Sequence, residues 1–131
     1  MEGIVYKDLS YRINGLLFKV HKQLGYYRKE KQYGDYFEEL LNALDIKYIR
    51  EYRFKDEQFG EELARCVCDF IVDDKIIIEF KAKEFITKED YFQVQRYLVT
   101  LNLRLAIIVN FRQHTLYPKR FLNKYFLENR S

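Results

Sequence analysis

Tryptophan is absent from this chain, proline occurs once, glycine five times and cysteine twice. So little proline and glycine argues against a linker-rich or disordered polypeptide. The two cysteines, Cys66 and Cys68, are too few for a closed zinc site. Two residues apart on a strand, they are also poorly placed to bridge each other. They read as buried strand thiols in a reducing compartment, so the expected location is the cytoplasm. No apolar stretch approaches the roughly 20 residues of a membrane span. Lys7, Asp8 and Arg12 interrupt any signal-peptide core near the start. His21 and His114 stand singly, without a paired ligand nearby, and read as structural or surface residues.

What is present fits a soluble globular domain. The chain has 131 residues, 48% hydrophobic and 33% charged, which predicts one domain over 1–131. Aromatics reach 18%, as 12 Tyr and 11 Phe, and many of the tyrosines should sit at core edges with their hydroxyls wet. The net charge of +3 permits contact with a polyanion without demanding it.

Hydrophobic periodicity orders the chain as α-α-β-β-β-α-β-(β)-α, an α/β (α+β) arrangement with a mixed sheet flanked by helices. Leu9, Ile13, Leu16, Leu17, Val20 and Leu24 follow a helical period over about 8–24, with Gly25 at the C-terminal cap. A second helix runs from near Glu30 to Leu44. Lys47 to Phe54 reads as a strand, Lys55 to Glu62 as a polar turn, and Leu63 to Val72 as a second strand. Ile76 to Ala82 is a third, apolar enough to be buried on both faces. Thr87 resembles an N-cap with Asp90 three positions on, and its helix extends to Leu101. Leu103 to Phe111 is the most apolar strand and is expected at the centre. The crossover from the third strand through that helix predicts a parallel pair. Thr115 to Tyr117 suggests a short edge strand ended by Pro118, and Phe121 to Phe126 a last short helix.

The chemistry concentrates in Asp69 to Lys81, DFIVDDKIIIEFK. Asp69 and Glu79 supply two carboxylates, the donors that Mg²⁺ (or Mn²⁺) prefers. Such a cation acidifies a bound water and stabilises charge on a phosphodiester under attack. Lys81 lies two residues past Glu79 and so shares its strand face. Asp69 must share that face too. The sum of 69 and 79 is even, so direct antiparallel pairing leaves the three-residue loop 73–75. A two-residue turn at Asp73-Asp74 would throw Glu79 to the opposite side. The site therefore predicts a three-residue loop or a bulge, with a left-handed residue such as Asp74 or Lys75. The plainer reading of the same residues is a Glu79–Lys81 ion pair.

Other residues carry two readings each. Gln93 and Tyr97 are i and i+4 on one helix. That helix follows the Glu79 strand and can bring Gln93 towards the metal or a phosphate, or the pair is a core-edge Tyr beside a solvated Gln. Lys83 shares parity with Lys81 and contacts phosphate or solvent. Glu30 opens a helix, where the dipole alone favours an acid. Tyr26, Tyr27, Arg28 and Lys29 interleave rings with charge. That composition suits stacking and phosphate contact and equally suits an exposed helix–helix turn.

Taken together, these motifs resemble the GxxExxY family, a branch of the PD-(D/E)xK nuclease superfamily, over about residues 8–125. Val20 to Gly25 (VHKQLG) is similar to the family's first-helix ending. The name motif falls at Glu30 to Tyr33, with Tyr27 standing where its first glycine would be. Asp69 and Glu79-Phe80-Lys81-Ala82 match the metal motif, although Cys68 replaces the proline often found before the first acid. Gln93-Val94-Gln95-Arg96-Tyr97 resembles the QxxxY element of RecB-type nucleases. The usual basic residue two before the first acid is Val67, and Arg65 could stand in for it.

The resemblance implies a restriction-endonuclease-like core and Mg²⁺-dependent (or Mn²⁺-dependent) hydrolysis of DNA, with RNA as another candidate substrate. It implies Asp69, Glu79 and, as a third carboxylate, Glu30 as metal ligands, with the Phe80 carbonyl. Lys81, Gln93 and Tyr97 would take catalytic roles, and Arg65 and Lys83 would bind substrate. A homodimer that completes its cleft across a two-fold is a further expectation. The competing reading is a non-catalytic nucleic-acid-binding or protein-interaction module that keeps the fold.

Overall fold

The structure, a computed structural model, describes residues 3–56 and 65–128, with Arg65 described in its backbone alone. In chain order the elements are α1 (Lys7–Leu24), α2 (Glu30–Ala43), β1 (Tyr48–Lys55), β2 (Arg65–Val72), β3 (Ile76–Lys81), α3 (Lys88–Leu101), β4 (Leu105–Asn110) and β5 (Lys119–Leu122). The strands form one mixed sheet in the order β1-β2-β3-β4-β5. β3 and β4 are parallel, as the crossover through α3 requires, and the other pairs are antiparallel.

Two cores lie on opposite faces of this sheet. Ile13, Leu17 and Val20 of α1 and Tyr33, Phe37 and Leu41 of α2 cover Phe70, Ile78, Phe80, Ile107 and Val109. Val94, Tyr97 and Leu98 of α3 cover Ile71, Ile77, Ala106 and Ile108 on the other side. Aromatic rings join the first core: Phe37 meets Phe70 at 4.9 Å and Phe80 at 5.3 Å, and Tyr33 stacks on Phe111 at 4.2 Å. Each such buried side chain contributes about 1.5–3 kcal/mol from area alone. Cys66 and Cys68 are both buried in the α3-side core.

Three expectations need correction. β4 is interior and buried throughout, paired to β3 and β5, but β3 is the middle strand of the five, with two strands on each side. The edge strand begins after Pro118 rather than before it: Lys119–Leu122 pairs with β4, while 115–117 is irregular. A proline lacks the N–H that a ladder uses, so pairing can start only past it. The helix expected over Phe121–Phe126 is absent. Phe121 belongs to β5, and the buried Asn123 then closes a turn by donating to the carbonyls of Leu98 and Leu103. The polar turn expected over Lys55 to Glu62 falls almost wholly outside the described residues.

One irregularity shapes the site. In β2, Phe70 and Val72 face α1 and α2, yet Cys66 and Cys68, of the same parity, face α3. β1 does the same: Tyr48 packs towards α2, and Tyr52 and Phe54 towards α3. Both strands turn over between these pairs, at Glu51 and Asp69, where the β1–β2 register skips one pair. Glu51 carries the turn in a left-handed conformation, φ 54°. A non-glycine residue in that region is strained by about 1–3 kcal/mol.

Candidate active site

β2 and β3 are joined by the three residues Asp73, Asp74 and Lys75, with Val72 paired to Ile76. Asp73 and Asp74 are left-handed, at φ 54° and 57°. Aspartate tolerates this region better than most residues. The hairpin therefore has the odd loop that the parity argument requires, and the left-handed residues are Asp73 and Asp74 rather than Lys75.

The β2–β3 ladder runs from Val72↔Ile76 to Phe70↔Ile78 and stops there. One step further, the two carboxylates take over the bridging. Asp69 N–H donates to Glu79 Oε2 at 3.1 Å, and Phe80 N–H donates to Asp69 Oδ2 at 2.7 Å. The strands thus part just where their acids face each other. Glu79 is only 3% exposed. Burial first, and then the neighbouring Asp69 charge, push its pKa well above the ordinary range, with Lys81 pulling the other way. Two carboxylates this close, one of them buried, form a hard-oxygen donor set whose repulsion a cation would relieve. The donor chemistry therefore fits Mg²⁺. Among the described residues, however, no group of three or more His, Cys, Asp or Glu side chains is assembled to hold an ion.

Lys81 does not pair with Glu79. Its Nζ lies 3.5 Å from Asp90 Oδ1, and Lys83 Nζ lies 2.5 Å from Asp90 Oδ2. Asp90 also closes the α3 capping box, accepting from Thr87 N–H at 2.8 Å while Thr87 Oγ1 accepts from Asp90 N–H at 3.3 Å. Burial opposes ionisation of Asp90. The Lys83 contact, the Thr87 hydrogen bonds and the Lys81 charge outweigh it and bring its pKa to about 2. The expected result has a definite sign. A carboxylate with a depressed folded pKa stabilises the fold above its unfolded value, near 3.8, and loses that contribution as pH falls towards 2. Wild-type stability, followed by denaturant titration, should drop across that window. Asp90→Asn should show a flatter profile there and lower stability at neutral pH. A wild-type profile no steeper than that of the variant would remove the assignment.

Tyr97 is buried in the α3-side core, its ring 5.0 Å from Phe54. Burial and then the Glu79 charge raise its pKa, so its hydroxyl stays protonated and cannot serve as a base. Gln93 lies one turn earlier on α3, half-buried. Glu30 heads α2 and lines the same cleft as Asp69, about 230 Å³ in volume and bordered also by Arg50, Glu51 and Phe80. Its pKa is raised, first by partial withdrawal from solvent and then by Asp69, while Lys81 and Lys83 oppose. Glu30 therefore senses the site without joining the two bridged acids. The side chain of Arg65 lies outside the described residues.

Several participants gave little signal in the sequence. Asp90 reads there only as a cap. Asn110, buried at the end of β4, donates to Lys83 O at 2.8 Å and accepts from the N–H groups of Lys83 and Arg112, both at 3.2 Å. It fixes the chain just past Lys81. Arg50 donates to Asp35 at 2.7 Å and Glu38 at 3.0 Å beside the cleft. A Cβ at Gly34 would fall 2.6 Å from its guanidinium, so glycine is what lets Arg50 lie there.

A family model for the PD-(D/E)XK nuclease superfamily matches residues 7–121, from the start of α1 into β5. No protein of curated function and no solved structure gives a significant match.

Proposed function

Because the chain belongs to the PD-(D/E)XK nuclease superfamily, we propose that it hydrolyses phosphodiester bonds in DNA with Mg²⁺ or Mn²⁺. One observation carries this reading: at the end of the β2–β3 ladder the Glu79 and Asp69 carboxylates each accept a backbone N–H from the other strand, with Lys81 on the next same-face position. Within the superfamily, Glu30 to Tyr33, Asp69, the Glu79–Lys81 motif and Gln93 with Tyr97 favour the GxxExxY branch and its QxxxY element.

Asp69 and Glu79 would hold the cation, with the Phe80 carbonyl and a more distant contribution from Glu30. When bound, it supplies Lewis acidity and a water of lowered pKa. Glu79 must lose its proton for this, so its raised pKa makes binding stronger as pH rises. Asp90 holds the Lys81 ammonium from behind. From there Lys81 orients the attacking water and offsets charge gathering on the phosphate. Gln93, half-buried on α3 between Asp90 and Tyr97, would position that water or a phosphate oxygen. The Tyr97 hydroxyl, hydrogen-bonded with the Val67 backbone, stays protonated within reach of the Glu79 charge.

The test is incubation of the purified protein with end-labelled single-stranded and duplex DNA in Mg²⁺, in Mn²⁺, and in chelator. Cleavage is expected with either metal and none with chelator. No cleavage of either substrate in both metals would favour the binding-module reading.

A further inference from the structure

Beside the acidic site stands an aromatic and cationic platform that the mechanism above does not use. It is built on the α1–α2 connection, at Tyr26 and Tyr27. Their rings lie 4.5 Å apart, and Tyr26 meets His114 edge-on at 5.5 Å. Tyr27 is 76% exposed, and the Arg112 guanidinium lies 5.8 Å from its ring centre.

The platform is fixed in place. Tyr33 Oη donates to Gly25 O at 2.7 Å and accepts from Arg28 N–H at 3.1 Å, which closes the loop that carries the two rings. Arg112 Nη2 donates to Arg28 O at 3.0 Å and Ala82 O at 3.3 Å, tying that loop to the residue after Lys81. His21 Nε2 sits 2.8 Å from Gln113 O and joins the end of α1 to the same segment. Gly25 supplies the positive φ of the turn, at 78°, and Tyr27 is not among the positive-φ residues. Tyrosine therefore occupies position 27, where the motif has glycine, without left-handed strain.

The surroundings say what such a surface would hold. Arg28 and Lys29 are exposed on the same loop. The loop ends at Glu30, which lines the same cleft as Asp69. A phosphate chain lying on these cations would reach the bridged acids. Exposed aromatic faces are open to a base only where that base is unpaired, since duplex bases are stacked on one another. An arginine plane adds a second stacking partner.

We propose that Tyr27, backed by Tyr26 and Arg112, stacks an unpaired base of single-stranded DNA, and so makes single strands the substrate class. This rests on the nuclease reading for its orientation towards Asp69 and Glu79. Its test is binding, not cleavage.

The experiment is fluorescence anisotropy in chelator-containing buffer. The probe is a labelled oligothymidylate of about twelve nucleotides, within the span such sites cover. It is compared with a duplex of the same length, an abasic strand of the same charge, and oligouridylate. Wild type should bind oligothymidylate more tightly than either the duplex or the abasic strand. Tyr27→Ala should weaken the oligothymidylate by roughly tenfold, the loss of one stacked base, and leave the abasic strand unchanged. Tyr27→Phe should retain the wild-type affinity, because the face and not the hydroxyl is used. Equal binding of the abasic strand, no loss in Tyr27→Ala, or tighter binding of duplex would overturn the platform. Tighter binding of oligouridylate would overturn the choice of DNA. Metal-dependent cleavage with no role for Tyr27 removes the platform alone. Tyr27-dependent binding without cleavage removes the nuclease reading alone.

Discussion

Replacing Lys81 with methionine is expected to lower metal-dependent DNA cleavage by about 10²–10⁴-fold while leaving the protein folded. Methionine keeps most of the aliphatic stem, so packing along β3 changes little. The variant also strands no buried charge. Asp90 loses its 3.5 Å partner but keeps Lys83 at 2.5 Å and both Thr87 hydrogen bonds. A structural effect would lower the melting temperature, and an effect on the ligands would weaken metal affinity. Neither is expected; the expected result is a loss in kcat, measured under saturating Mg²⁺, with Mn²⁺ affinity within a few-fold of wild type. Cleavage at the wild-type rate would end the role given to Lys81.

Glu79→Gln is expected to raise stability, the opposite sign to Asp90→Asn. The Glu79 carboxyl is almost completely buried and shares its space with Asp69, which raises its pKa well above 4.5. Below its unfolded value the group is neutral in both states and has no effect. As pH rises past that value, the unfolded chain releases the proton first, so the metal-free fold loses stability. Glutamine removes this penalty, and its amide oxygen can still accept the Asp69 N–H bond now made to Oε2. At neutral pH and without metal, the variant should melt higher than wild type. For a chain this size that is about 3–6 °C per kcal/mol gained. Mn²⁺ should raise the wild-type melting temperature and do far less for the variant, since a neutral amide is a poor replacement for an ionised ligand. Cleavage should fall below detection. Stability sacrificed at a site in return for chemistry is a common trade. A variant that melts lower than wild type in the absence of metal would contradict the account of Glu79.

Much of this arrangement was legible from the residues. The three-residue loop followed from requiring Asp69 and Glu79 to share a face, and Asp73 and Asp74 supply its left-handed turn. The parallel β3–β4 pair followed from the α3 crossover. What escaped did so for physical reasons. Simple alternation assumes that a strand keeps its faces, but β1 and β2 turn over at Glu51 and Asp69. No local pattern announces a left-handed glutamate inside a strand. Asp90 was hidden because one carboxylate serves two purposes, and its capping role explains its position without the lysines. Asn110 lies in a strand otherwise wholly apolar, and its partners at Lys83 and Arg112 are set by tertiary structure. Pro118 does bound the edge strand, but at its start rather than its end. Phe121 and Leu122 have no periodicity that separates a short strand from a short helix.

The central claim is that Asp69 and Glu79 form one cation site. Anomalous diffraction from crystals soaked in Mn²⁺ measures this directly. The account predicts one strong peak between the Asp69 and Glu79 carboxylates, within about 2.0–2.3 Å of an oxygen from each, and its loss in Asp69→Ala. A structure at saturating Mn²⁺ with no peak there, or with the ion held elsewhere while those carboxylates keep their metal-free bridging, would contradict it.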